Sequence, residues 1–198
     1  MAKGRVTSDD WTMAALSALA RGGVSAVAVD VLAKELAVTR GSFYWHFKNR
    51  DALLVAALEV WERLGTAEVI EALGAEPDPM KRARALFEVA LGDEEIAGLE
   101  PAIVAQVDHP AVAEVLQRVT RTRIDYLTGI FADLGLPPQD ARRRAVAAYA
   151  AYLGWIELRR AAPQVAPETV IGAEGAAQAL DHLVALITSG TPGSRRSR

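Results

Sequence analysis

The chain has 198 residues, of which 51% are apolar and 24% are charged. A chain of this length forms one large domain or a small domain joined to a larger one, and this composition suits a folded protein with a buried core. The absence of cysteine excludes disulfides, thiolate metal sites and a cysteine nucleophile. Uncharged segments are too short to span a bilayer, and the first residues lack the apolar centre of a signal peptide. We therefore expect a cytoplasmic protein without membrane contact.

The net charge of -3 is unevenly distributed along the chain. Residues 1–50 carry seven Lys or Arg side chains and four acidic ones, whereas residues 51–190 carry 12 basic and 21 acidic ones. A basic first segment on an acidic body is the distribution expected if only that segment meets a polyanion. Ordinary variation in composition explains the same asymmetry equally well, so charge alone does not decide between the two.

Apolar residues recur three and four positions apart through nearly the whole sequence, and this spacing predicts an all-α protein of about nine helices. Clusters of glycine and proline mark the ends of these helices. The first three predicted helices are short and close together. Helix one is expected over residues 8–21 with Ser8 as its cap, helix two over residues 29–36, and helix three from Thr39 onward.

The third predicted helix has an inward apolar side and an outward polar and aromatic side. Phe43 and Phe47 lie four residues apart and share the inward face, which leaves Arg40, Gly41, Tyr44, Trp45 and His46 largely outward. A short helix, a tight turn and a second short helix of this kind indicate a helix-turn-helix, which places its second helix in the major groove of DNA. Taken in isolation, the same aromatic residues would serve equally well as packing residues of a helical hairpin.

The segment from Val24 to Leu54 resembles the DNA-binding segment of the TetR family of transcriptional repressors, most specifically in SFYWHFKNRDALL. The resemblance implies a homodimeric repressor that a small-molecule effector releases from a palindromic, double-stranded DNA operator. It also implies a recognition helix in the major groove, with outer residues that read bases and with tyrosine, histidine and lysine side chains on phosphates. By matching position, Arg40 and Gly41 would read bases, Trp45 is ambiguous, and the phosphate or mixed contacts would be Thr39, Ser42, Tyr44, His46 and Lys48.

Two positions depart from the pattern of the TetR family. Ala28 stands where many members have a serine or threonine that caps helix two and touches a phosphate, and alanine can do neither. Ala37 stands where glycine is usual, so it must adopt a strained left-handed conformation or turn differently. These departures, with the acidic body, support the alternative of a helical ligand-binding or interaction protein that has lost DNA binding.

The resemblance divides the chain into a DNA-binding domain over residues 1–48, a ligand-binding and dimerisation domain over residues 49–188, and a disordered tail over residues 189–198. A long fourth helix over residues 49–73 would join the first two. The candidate pocket residues are aromatic or large and apolar, although such residues are more often core: Trp61, Phe87, Ile103, Tyr126 and Trp155. The candidate dimer residues lie on the eighth and ninth helices, of which the eighth is apolar all round: Tyr149, Tyr152, Leu180, Leu183, Val184 and Ile187.

The sequence gives little support for catalysis. Only three histidines are present, and none has the spacing of a metal site. No phosphate-binding loop, zinc-protease motif or dinucleotide-binding motif occurs. We therefore expect no enzymatic activity, no catalytic residues, no metal and no cofactor.

Overall fold

The computed structural model describes residues 5–92 and 94–191, and within these ranges every regular element is a helix. The all-α prediction is confirmed, and so is the expected number of about nine helices in this part of the chain. The helices are α1 (Ser8–Ala26), α2 (Val29–Glu35), α3 (Arg40–Tyr44), α4 (Arg50–Glu62, continued without a break by the π-helical turn Arg63–Ala67 and by Glu68–Leu73), α5 (Pro79–Gly92), α6 (Glu94–Val104), α7 (Pro110–Asp133), α8 (Pro138–Ala161) and α9 (Ala176–Thr188). A 3₁₀ turn at Pro167–Thr169 precedes α9. Within the described ranges, no helix is both long and apolar enough to cross a membrane.

The chain forms two compact units. The first contains the residues up to Leu64 together with Gly98–Arg118, and the second contains Gly65–Ala97 together with the residues from Val119 onward. This division differs from the predicted one after residue 48, because the first part of α4 packs along α1 and its Leu53 and Leu58 are fully buried in the first unit.

Helix α1 begins at a cap that the sequence reading placed one residue too late. The cap is Thr7, whose hydroxyl accepts the Asp10 amide at 3.2 Å, while the Thr7 amide donates to the Asp10 carboxylate at 2.7 Å. Such a reciprocal capping box needs an acceptor three residues after the cap, and Asp10 satisfies that spacing for Thr7 but not for Ser8. The Thr7 amide, and then the Thr7 hydroxyl at 2.8 Å, donate to the Asp10 carboxylate and lower the pKa of Asp10 below its ordinary value.

The predicted end of the first helix agrees with the backbone dihedrals. Helical hydrogen bonding continues to Ala26, but Gly22 (φ -154°) and Gly23 (φ 66°) leave the helical region and bend the chain. Since a positive φ strains any residue with a Cβ, glycine at position 23 permits this bend and the turn into α2. A Cβ at that position would also lie 2.9 Å from the Gln106 side chain.

The second unit has its own core, built from α5, α7, α8 and α9. Its most deeply buried large side chains include Phe87, Ile130 and Phe131. Helix α9 ends at Thr188, and Thr191 beyond it is buried, with its hydroxyl donating to the Thr188 carbonyl at 2.9 Å. Of the predicted disordered tail, residues 192–198 lie outside the described residues.

Candidate nucleic-acid interface and ligand cavity

The turn between α2 and α3 depends on Ala37, which has a φ of 54° and is the only residue other than glycine with a positive φ in the described ranges. The Val38 amide donates to the Ala33 carbonyl at 2.9 Å, and the Ala37 amide donates to the Lys34 carbonyl at 3.1 Å. This pair of bonds is a Schellman motif, the usual end of a helix followed by a left-handed residue. Of the two conformations expected for Ala37, the chain therefore adopts the left-handed one.

The inward side of α3 fixes the helix to α1. Phe43 is 1% exposed and meets the Trp11 ring edge-on at 5.4 Å between centroids. On its other side it stacks with Phe47 at 5.8 Å. Buried aromatic pairs of this geometry contribute about 0.5–1.5 kcal/mol beyond their burial, so the five residues of α3 are held rigidly although the helix is short.

The outward side of α3 presents most of the predicted DNA-binding residues to solvent. Trp45 is 82% exposed and Tyr44 is 56% exposed, which excludes the alternative that these two residues fill the core of a helical hairpin. The remaining members are exposed, except for the half-buried Ser42 and His46: Thr39, Arg40, Gly41 and Lys48. The structure thus brings all eight predicted residues to one short segment, and their contacts to DNA stay a prediction.

Arg40 is held across the gap between α2 and α3. Its guanidinium lies 3.5 Å from the Asp30 carboxylate and donates to the Tyr44 hydroxyl at 3.4 Å. The Tyr44 hydrogen bond, and then the attraction of Asp30, raise the pKa of Arg40 further above its ordinary value. The side chain therefore stays charged at any pH at which the protein is folded.

The start of α4 lies next to the α3 surface in sequence and contributes Lys48, Asn49 and Arg50. The Asn49 side chain accepts the Ala52 amide at 2.8 Å and caps α4, with the exposed Lys48 directly before it. Arg50 donates to the Val27 carbonyl at 2.7 Å and to the Val24 carbonyl, which ties the start of α4 to the turn between α1 and α2. The free amides and positive end of α4 therefore stand beside a lysine, an arrangement suited to a phosphate.

The sequence reading missed two residues that organise this surface, Asp30 and Arg50. Each acts across a turn, ten or more residues from its partner, so no local spacing indicates it. It also missed Gln106, whose side-chain carbonyl accepts the Val24 amide at 3.2 Å and fixes the same turn. As expected, Ala28 stands at the start of α2 without a side-chain cap.

A cleft of about 660 Å³, including the part open to solvent, lies within the second unit. Two of the predicted pocket residues, Phe87 and Tyr126, line it. Trp155 lines a separate cavity, whereas Trp61 and Ile103 are buried in the first unit and belong to its core. An aromatic or large apolar residue at helical spacing is equally consistent with a core and a pocket, and a ligand-binding role for these residues stays a prediction.

The polar groups of this cleft come from the π-helical turn of α4 and from α7 and α8. Arg123 donates to the Thr66 hydroxyl at 2.9 Å and to the Gly65 carbonyl at 3.1 Å, and its guanidinium carbon lies 5.8 Å from the centre of the Tyr152 ring. The buried Tyr126 hydroxyl has no hydrogen-bond partner among the described residues, and burial raises the pKa of Tyr126. In the part of the chain that the structure describes, no group of three or more His, Asp or Glu side chains is placed to hold a metal.

The predicted dimer residues are already used by the core of a single chain. The second unit buries Tyr149, Tyr152, Leu183, Val184 and Ile187, and Leu180 packs against them. An all-round apolar helix does not indicate which side faces its own bundle, and the prediction chose the inner side of α8. Between Val146 and Leu158, the exposed uncharged residues of α8 are Val146, Ala147, Ala150, Gly154 and Leu158.

The exposed surface of α3 lies in the part of the chain that matches a known protein family. Residues 12–57, from α1 into α4, match the family described as bacterial regulatory proteins, tetR family. This segment is similar to the tetR family of bacterial regulatory proteins. The resemblance seen in the sequence is thereby confirmed, and the tetR segment contains the whole exposed surface of α3.

A curated transcriptional regulator is similar to part of this chain. The HTH-type transcriptional regulator AcrR of Shigella flexneri is 29% identical over 129 residues, which cover 54% of this chain. The matched part spans 58% of the length of AcrR.

Solved structures share the fold of this chain over nearly its whole length. A transcriptional regulator from Rhodococcus sp. Rha1 has a TM-score of 0.75 and 21% identity, with 94% of this chain and 98% of that chain covered. A regulator from Saccharomonospora viridis in complex with choline has a TM-score of 0.71 and 17% identity, with 91% and 92% covered. AibR in complex with isovaleryl coenzyme A and operator DNA has a TM-score of 0.67 and 17% identity, with 93% and 98% covered.

Proposed function

We propose that this tetR-family chain is a cytoplasmic, homodimeric transcriptional repressor that binds a palindromic operator and is released from it by a small molecule. The observation that carries the proposal is the exposed outer side of α3, where Arg40, Tyr44 and Trp45 face solvent on a helix anchored by the buried Phe43. An enzymatic role has no comparable support, because the family consists of regulatory proteins.

The chemistry of α3 suits the major groove. An arginine fork can bond both O6 and N7 of guanine, which discriminates against a wrong base by about 1–3 kcal/mol. Gly41 leaves the backbone open to close approach. Apart from its chain neighbours and the backbone of its own helix, the nearest described atom to a Cβ placed there is the Thr39 hydroxyl oxygen at 3.7 Å. Lys48 and the capped start of α4 would hold a phosphate and set the angle at which α3 enters the groove.

The exposed stripe of α8 supports a dimer. Its small residues, Ala147, Ala150 and Gly154, allow two copies of α8 to approach closely around a two-fold axis, and Leu186 on α9 is also 60% exposed. A two-fold axis presents two recognition helices to half-sites about 34–36 Å apart, which is one turn of DNA. We therefore assign the dimer contact to this outer stripe instead of the buried residues chosen from the sequence.

The cleft of the second unit supports control by a ligand. Its lining is mostly apolar, with the tyrosines Tyr149 and Tyr152 stacked at 5.9 Å beside Arg123. Two structural neighbours were crystallised with small ligands, choline in one and isovaleryl coenzyme A in the other. The effector acts on the equilibrium between the operator-binding and the released conformation. To move it from 1:99 to 99:1, the effector must bind the released conformation about 5.5 kcal/mol more favourably than the operator-binding one.

Selection from a pool of random duplexes tests the proposal. The purified protein should enrich a palindrome with half-sites one DNA turn apart, and the logarithm of its binding constant should fall linearly with the logarithm of salt concentration. Failure to enrich any duplex, or binding that does not change with salt, would favour the alternative of a helical ligand-binding or interaction protein that has lost DNA binding.

A further inference from the structure

An acidic side chain of α2, Asp30, lies beside Arg40 on the α3 surface. Asp30 lies in the first turn of α2 with its side chain 67% exposed, and its carboxylate is 3.5 Å from Arg40. On the far side of the guanidinium, the Tyr44 hydroxyl accepts a hydrogen bond at 3.4 Å. The guanidinium is thus held between a group on α2 and a group on its own helix.

Two of the five N–H donors of Arg40 are engaged in these contacts. The Nη1 group donates to Asp30 and the Nη2 group donates to the Tyr44 hydroxyl, each through one hydrogen, which leaves three donors for other partners. The fork therefore retains enough donors to bond two acceptors of one guanine while it is held in place. An arginine without such contacts samples many rotamers and loses that freedom on binding.

A carboxylate at this position opposes DNA binding through charge alone, because it repels the phosphates that Lys48 would attract. Glu35, the other acidic residue of α2, pairs instead with Arg21 of α1 at 2.9 Å. The repulsion between Asp30 and the DNA phosphates lowers affinity, and the orientation of Arg40 by Asp30 is a benefit that can offset this loss.

We propose that Asp30 is a positioning residue for Arg40: it orients the guanidinium toward one base pair and so determines specificity, while it lowers affinity for DNA in general. The inference rests on the proposed function, since it needs α3 to read bases. A good bidentate contact from arginine discriminates by roughly 5- to 150-fold. Loss of orientation should remove a substantial part of that factor at one base pair of each half-site.

The experiment measures dissociation constants for the selected operator and for every single base-pair variant of it, at one fixed salt concentration. The proteins are wild type, Asp30→Asn, Arg40→Ala, the double variant and the control Glu35→Gln. Asp30→Asn should bind all duplexes more tightly because a negative charge is lost. At the base pair that depends on Arg40 its discrimination should fall at least 3-fold, whereas Glu35→Gln should leave that discrimination unchanged.

The double variant separates positioning from a simple effect of charge. If Asp30 acts through Arg40, the double variant should have the same base preferences as Arg40→Ala alone. Asp30→Glu keeps the charge near the guanidinium and should retain most of the discrimination. Circular dichroism and thermal unfolding verify that each variant is folded, and the ratio between duplexes does not depend on a small loss of stability.

Three results would overturn the inference. In the first, Asp30→Asn changes all dissociation constants by one factor and leaves the discrimination intact. In the second, it changes base preference equally with and without Arg40. In the third, wild type enriches no duplex, which refutes the proposed function as well, whereas either of the first two results refutes the role of Asp30 alone.

Discussion

Replacing Ala37 with glycine should stabilise the protein. The backbone there has a φ of 54°, which costs an L-amino acid with a Cβ about 1–2 kcal/mol. Glycine avoids that strain but makes the unfolded chain more flexible, which removes about 0.4–1 kcal/mol. The Schellman bonds, from Val38 to Ala33 and from Ala37 to Lys34, use backbone atoms alone and are unaffected. We therefore expect a net gain of roughly 0.5–1 kcal/mol and a rise in Tm of about 1–4 °C.

Thermal and urea unfolding followed by circular dichroism measure this gain. Ala20→Gly is the matched control, because Ala20 is exposed in the regular part of α1 and glycine there should cost about 1 kcal/mol. The same substitution should thus shift stability in opposite directions at the two positions. If Ala37→Gly destabilises the protein as much as Ala20→Gly does, the left-handed conformation assigned to Ala37 is wrong.

Three further variants test the other surfaces. Lys48→Ala should reduce the dependence of log K on log salt by about 0.9 per protomer, and an unchanged slope would show that Lys48 contacts no phosphate. Gly154→Leu should disrupt the proposed dimer and give a monomer in sedimentation analysis, while Gly129→Leu should not. At both positions an added Cβ meets no described atom within 4 Å apart from its chain neighbours and the backbone of its own helix, so each chain should still fold. Asp10→Asn should lower the Tm at neutral pH. Because hydrogen bonds from Thr7 lower the pKa of Asp10, this difference should vanish as the pH falls through that lowered pKa, and a difference that persists in strong acid would contradict the capping box.

The local sequence pattern was sufficient to predict which side of α3 is buried and which is exposed. The positions of Phe43 and Phe47, four apart on a short helix, determine which side of α3 is buried, and the outward residues follow from that choice. The turn at Ala37 could be anticipated by its place after α2, but the sequence left two backbone conformations open, and the structure shows the left-handed one.

Contacts between distant elements could not be predicted in this way. The hydrogen bond from Arg50 to the Val27 carbonyl joins residues 23 positions apart, and nothing in the local spacing indicates it. The same limit applies to α8, where apolar residues surround the helix and only the packed structure shows that Tyr149 faces inward and Gly154 outward. Likewise, Trp61 and Tyr126 looked equivalent as pocket residues until the fold placed one in a core and the other beside a cleft.

Oxidative labelling of tryptophan tests most directly whether the surface of α3 lies against DNA. Trp45 is 82% exposed, whereas Trp11 and Trp61 are buried and serve as internal references in the same mass spectrum. Adding the selected duplex should slow the labelling of Trp45 several-fold, and high salt should restore it, while the labelling of Trp155 in the second unit stays the same. If Trp45 is labelled at the same rate with a bound duplex as without one, the recognition surface described here is not where the protein meets DNA.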